Sequence, residues 1–307
     1  MVKVLQEQTE NETVLSADRW HSLQREHETV LSEILTPYLE KRSRQEKDPV
    51  MDFLFEYYAF RPSHLLRWSP GIGVSLDLED DDLLPDHSEL MNVEKGKAFL
   101  DPESFPQKRR SSVRWMLGLL KKSAGKKPLF GCFGMHEWAM VYRAGDVRHN
   151  QIPLRLSDEE IAEFVESRPL VCTHFDAYRF FTKPAKPLNK HVLSREGFQD
   201  SEQPGCIHTN MDLYKWAFKL YPWIPGELLR MSFLNALEAR KIDMQASPYD
   251  AREFGLDPIR IETEEGRREY INKQTEIHES SMPIRLELIR WYERVLELTE
   301  VVESSKN

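Results

Sequence analysis

Apolar residues recur at helical spacing over much of the chain. Between positions 18 and 45, Trp20, Leu23, Val30, Leu31, Ile34, Leu35, Tyr38 and Leu39 fall on one stripe, which predicts a long amphipathic helix. The run VMDFLFEYYAF (50–60) is apolar nearly all round and predicts a segment inside the core. Alternation replaces the helical period only briefly: Val74, Leu76 and Leu78, after the turn residues SPGIG, predict a short strand. Residues 77–106 read as an acid-rich loop, and 108–123 as a basic helix closed by Gly125 and Pro128. GMHEWAMVYR predicts the next helix. In LSDEEIAEFV, Ser157 stands three residues before Glu160, the reciprocal capping pattern.

Further on, PLVCTH predicts a short buried strand that leads into a helical turn over Asp176–Phe181. Residues 183–206 hold three prolines and predict a long loop. HTNMDLYKWAFKLY and PGELLRMSFLNALEARKIDM predict two strong helices, with Pro225 suited to a first turn. A long C-terminal helix is expected to break at Pro283, whose ring cannot continue the ladder. With no βαβ alternation, the pattern predicts a mainly α protein: a single multi-helix domain over 1–307 with a few short strands, and an N-terminal helix within 1–48 packed on it.

Composition narrows the function classes. No run reaches the roughly 18 apolar residues of a membrane helix, so no membrane partner is expected. The start, MVKVLQEQTENETV, lacks the apolar stretch of a secretory signal. Three widely spaced cysteines do not make a disulfide framework, and a reducing cytoplasm is the expected location. The net charge of −9 argues against a general nucleic-acid coat but leaves room for a local basic patch.

The candidate chemistry lies around those cysteines. Each has a histidine just downstream: Cys132 and His136, Cys172 and His174, Cys206 and His208. Spacings of C-x3-H and C-x-H match no standard structural zinc pattern. Carboxylates stand close by: Glu137 beside His136, Asp176 two past His174, and Asp212 four past His208 and so on the same helical face. Imidazole and carboxylate together can serve a metal, a proton transfer, or the orientation of a ring. Taken one at a time, each is equally explained by core packing or by an ion pair, Asp176 with Arg179 and Asp212 with Lys215. Aromatics crowd the same segments, among them Trp138, Tyr178 and Trp216; they are core residues or the walls of a pocket for a flat, cationic ring. Separately, Lys108, Arg109, Arg110 and Arg114 open an acid-free basic stretch, which fits either phosphate contact or a solvated helix face. SPGIG is similar to a helix–hairpin–helix turn, but the acids that follow it have the wrong sign for phosphate.

GCFGMHEWAMVYR, CTHFDAYRFFTKPAKPLN, QPGCIHTNMDLYKWAFKL and IDMQASPYD together resemble a family of bacterial proteins that carry the name 3-methyladenine DNA glycosylase. The likeness runs from about Pro49 to the C-terminal helix. It implies a DNA-repair hydrolase that excises alkylated purines from damaged DNA without a cofactor. Excision needs a flipped base stacked on aromatics and a carboxylate that steadies a sugar cation or activates water. On that reading Asp176 and Asp212, with Glu137 behind them, are the carboxylates, and His136, His174 and His208 orient water or base. Trp138, Tyr178 and Trp216 form the base pocket, and Lys108, Arg109, Arg110 and Arg114 hold phosphate. The alternative is a metal-dependent enzyme acting on a small molecule. There His136, His174 and His208, with Asp212, Asp176 or Glu137, bind iron, manganese or zinc and leave a coordination position open. A third possibility is a binding protein that uses the aromatic pocket or the basic helix.

Overall fold

The computed structural model describes residues 14–145 and 152–304. The N-terminal leader reading therefore falls largely outside the described residues. The protein is mainly α with one small sheet, as the periodicity predicts. The helices used below are α1 (Ala17–Ser43), α2 (Arg110–Ala124), α3 (Met135–Val141), α4 (Asp158–Glu166), α5 (Ile207–Leu220), α6 (Gly226–Ala246) and α7 (Glu264–Ser304). The strands are β1 (Val14–Leu15), β2 (Ser75–Asp77), β3 (Met91–Glu94) and β4 (Lys97–Leu100). No helix among the described residues is long and apolar enough to cross a membrane.

The chain forms two compact units, each assembled from separate stretches of sequence. The first comprises Met1–Leu120, Tyr214–Leu234 and Pro283–Asn307, the second Lys121–Leu213 and Asn235–Met282. Helices α2, α5, α6 and α7 each contribute residues to both.

In the first unit, the buried stripe of α1 is Trp20, His27, Leu31, Leu35 and Tyr38. The sheet has the order β1-β2-β4-β3, with β1 parallel to β2 and the other pairs antiparallel. Its inward residues Leu76 and Ala98 pack with Trp20 and Trp68 in one apolar cluster. The β3–β4 hairpin occupies part of the stretch expected to be an acidic loop. Each of its strands is only four residues long, so the alternation signal is short. SPGIG turns with positive φ at Gly71 and Gly73, 82° and 77°. Arg294 donates to the carbonyls of Ile72 and Gly73 at 3.1 and 2.8 Å, so this turn meets a cation of its own chain.

In the second unit, α4 begins with the capping box read from the sequence: Glu160 N donates to Ser157 Oγ at 3.2 Å, and Ser157 N to Glu160 Oε2 at 2.9 Å. The stretch 183–206 is not wholly irregular, since Lys186–Leu188 and Phe198–Ser201 form short helical turns. Helix α7 runs through Pro283 without a break. Pro283 is also where α7 leaves the second unit for the first. A proline costs one ladder bond there, and buried residues on either side, Ser281 and Ile284, hold the helix through the gap.

Candidate functional site

The three cysteine–histidine pairs sit on three different local structures, all in the second unit. The first begins with a tight reversal in which Phe133 and Gly134 have positive φ, 50° and 74°. Glycine accepts that conformation, and a Cβ on Gly134 would stand 3.1 Å from Ala246 Cβ. The reversal opens α3 and leaves Cys132 Sγ 3.5 Å from His136 Nδ1.

Cys172 is held by the amide of Asn189. Cys172 N donates to Asn189 Oδ1 at 2.8 Å, and Asn189 Nδ2 donates to Cys172 O at 3.0 Å. The amide substitutes for a strand partner: the strand expected at PLVCTH is reduced to one bridge between Leu170 and Asn189.

Gln203 braces the third segment. Its Oε1 accepts from Leu129 N and Gly205 N at 2.9 and 2.7 Å, and its Nε2 donates to Leu129 O at 3.1 Å. One side chain thus ties the approach to Cys132 to the approach to Cys206. Gly205 is pressed so near that a Cβ would lie 2.7 Å from the backbone of Leu129. Cys206 follows, and His208 lies in the first turn of α5.

These segments meet. Cys132, Cys172, Cys206, His136, His174 and His208 all line one cavity of about 250 Å³. The rings of His136 and His208 meet edge to face at 4.4 Å, and His174 stacks on His208 at 5.2 Å.

Carboxylates stand behind the imidazoles. His136 Nε2 donates to Asp243 Oδ1 at 2.7 Å, which leaves Nδ1 for Cys132. Asp243 Oδ2 accepts from Arg240 at 2.6 Å, and Arg240 also reaches Glu137 at 3.2 Å. His208 Nε2 lies 3.9 Å from Asp243 Oδ2. His174 Nδ1 lies 2.8 Å from Glu202 Oε1, and Glu202 accepts the Thr209 hydroxyl. Asp243 and Glu202 are buried, as such acids can be only when paired.

The charges follow from this arrangement. Burial alone would raise the Asp243 carboxyl; the charge of His136, the hydrogen bond from His136, and Arg240 outweigh burial and hold it far below the carboxylate range. Burial opposes protonation of His136, but Asp243 overcomes it and holds the ring well above its usual value. A hydrogen bond from the Cys172 thiol, aided by His136, holds Cys132 well below its usual value against burial. The same bond, with burial, holds Cys172 well above. Burial pushes Cys206 up to about 12. Burial and then the neighbouring His136 charge hold His208 well below its usual value.

Not every residue singled out in the sequence faces this cavity. Asp176 and Asp212 cluster with His174, each offering a ligand atom within 4.8 Å of the others, but they stand outside the cavity wall. Glu137 is spent on Arg240. Trp138, Tyr178 and Trp216 do not line the cavity either. Trp138 is fully buried, donates its indole N–H to Ala246 O at 2.9 Å and packs on Phe164. Tyr178 packs on Phe181. Trp216 belongs to the first unit, beside Trp115 and under Lys215. Three of the four basic residues have protein partners, also within the first unit. Arg109 donates to Lys219 O, Arg110 to Thr299 O at 2.9 Å, and both Arg110 and Arg114 pair with Glu300. Lys108 is exposed.

The structure adds Asp243, Arg240, Glu202, Asn189 and Gln203, none of them next to a cysteine in a way that spacing would flag. Asp243 and Arg240 are three apart on α6, an ordinary salt-bridge spacing.

Cys132 and His136 are spaced as two ligands of a metal ion would be. Tetrahedral zinc, with sulfur at about 2.3 Å and nitrogen at about 2.0–2.1 Å, puts its ligands about 3.5 Å apart. Cys132 Sγ and His136 Nδ1 have that separation. A carboxylate that accepts the far N–H of the ring, as Asp243 does for His136, is the usual support of a ligating histidine. His208 Nδ1 is buried with no hydrogen-bond partner among the described residues, and one ligand atom each of His136, His208 and Asp243 lies within 4.8 Å of the others. No family model, curated protein or solved structure matches the chain.

Proposed function

We propose that the protein is a metal-dependent enzyme acting on a small molecule, with its metal held among the thiols and imidazoles of the second unit. One observation carries the reading: three cysteine–histidine pairs, far apart in sequence, converge on a single small cavity with carboxylates behind their rings. Cys132 and His136 Nδ1, 3.5 Å apart, are the ligand pair best supported, with His208, Cys172 and Cys206 lining the same cavity. Thiolate and imidazole donors favour zinc or iron over manganese. Such an ion, when bound, supplies Lewis-acid chemistry at an open position.

The chain's own residues do the rest. Asp243, fixed by Arg240, keeps His136 in the tautomer that presents Nδ1. His174 faces the cavity with Glu202 behind one nitrogen, which suits it to hold or pass a proton. Asp176 and Asp212 each bring a carboxylate oxygen within 4.8 Å of a nitrogen of that ring, from outside the wall.

Metal analysis of the purified full chain tests this. About one equivalent of zinc or iron is expected, lost in Cys132→Ser and His208→Ala and kept in His64→Ala. A well-folded chain that takes up neither metal on incubation overturns the reading. Excision of alkylated purines rests on the resemblance alone, since the aromatic residues it requires are core residues here. Release of 3-methyladenine from methylated DNA, insensitive to chelators and lost in Asp176→Asn or Asp212→Asn, would favour it instead.

A further inference from the structure

The cavity adjoins a wider hollow of about 720 Å³, and the two share Leu129, Thr173, Lys190, His191 and Gln203 as walls. All of these residues lie in the second unit. The outer wall adds Lys126, Lys127 and a single acid, Asp200. Asp200 is neutralised by Lys122 at 2.7 Å. Lys126 spends its ammonium on the carbonyls of Asp200 and Glu202, both at 2.7 Å. Lys127 and Lys190 are exposed, and neither forms an ion pair among the described residues. In a chain of net charge −9, the entrance to the thiol–imidazole cavity is therefore positive. Beside the lysines, Leu129 and Val192 stand 55% and 92% exposed, so the same mouth offers apolar surface.

We infer that the substrate is a small organic anion: Lys127 and Lys190 hold its phosphate or carboxylate at the mouth, its apolar body lies on Leu129 and Val192, and its uncharged end enters the cavity. Positive walls around the entrance raise the local concentration of anions and orient them before they enter. Lysine, a point charge on a flexible stem, accepts either kind of oxyanion. The inference rests on the metal-centre reading for the identity of the working cavity.

Calorimetric titration of the full chain, zinc-loaded and chelator-treated, with phenyl phosphate, benzoate and benzyl alcohol tests it. Either anion is expected to bind at least about tenfold more tightly than the alcohol, and the tighter of the two identifies the acidic group. The double variant Lys127→Gln, Lys190→Gln weakens anion binding by about tenfold or more, more so at low salt, while Lys183→Gln leaves it unchanged. Both lysines are exposed, and the double variant is expected to keep the parent's circular dichroism and metal content. Anion binding within about twofold of the parent in that variant overturns the inference. So does equal binding of the alcohol, or binding of a single-stranded oligonucleotide in place of the small anions. A zinc-loaded chain without lysine-dependent anion binding overturns this inference alone. Lysine-dependent anion binding by a chain that takes no metal overturns the metal reading alone.

Discussion

His27 in the first unit and His208 in the second are both shut away from water, at 0% and 7% exposure, and both are held far from protonation by burial. Their surroundings differ. His27 donates from Nε2 to Leu65 O at 2.9 Å and lies under α6, where a Cβ on Gly226 would stand 3.2 Å from its Nδ1. It fills space and ties α1 to the short helical turn Pro62–Leu65. Each ring leaves a buried Nδ1 without a hydrogen-bond partner among the described residues, but His208 lies between two other histidines in a cavity lined by all three cysteines. A buried histidine is therefore not itself a signal of function. What distinguishes the second unit is the convergence of several donors on a hollow, each braced from behind.

The sharpest test of that contrast is Asp243→Ala. It strips His136 of its support and takes from buried Arg240 the carboxylate at 2.6 Å, at a cost of about 3–5 kcal/mol in denaturant unfolding together with loss of bound metal. A variant as stable as the parent would show that the buried network does not hold the site.

His27 predicts a pH effect that belongs to the first unit. Its folded value is lowered to about 4 from 6.5, so between those values the unfolded chain binds more protons. Stability from this group is complete above about pH 6.5 and is lost as pH falls towards about 4, by about 3 kcal/mol in all. Unfolding midpoints measured from pH 7 to 4 should show this loss, and His27→Gln should flatten it.

Metal separates the two regions next. Zinc or iron at about a hundred times its dissociation constant should add about 2.7 kcal/mol. Thermal melts should show the gain in His27→Gln and none in Cys132→Ser. The smallest effect is local: Ser157→Ala removes the α4 cap and costs about 1 kcal/mol without changing metal content.

Much of the fold was legible from residues near one another in the chain. The stripe from Trp20 to Tyr38 is buried as α1, and Ser157 and Glu160 form their box. These features depend on contacts three or four residues apart, which helical spacing displays directly. The β3–β4 hairpin and the passage of α7 through Pro283 were not legible. Four-residue strands carry little periodic signal, and a proline's local cost can be overridden by packing on both sides.

For the site, local pattern sufficed to mark the three cysteine–histidine pairs as unusual, because each pair is adjacent in the chain. It could not rank the acids. Asp176 and Asp212, close to histidines in sequence, stand outside the cavity wall, whereas Asp243, 107 residues from His136, accepts its N–H at 2.7 Å. Trp138 and Trp216 look alike as aromatic neighbours in the chain, yet they belong to different units and neither reaches the cavity. Periodicity and spacing thus decided the helices and which segments carried chemistry. Folding decided which donors meet, because ligation and ion pairing act over a few ångströms of space, and that distance is set by long-range packing rather than by separation along the backbone.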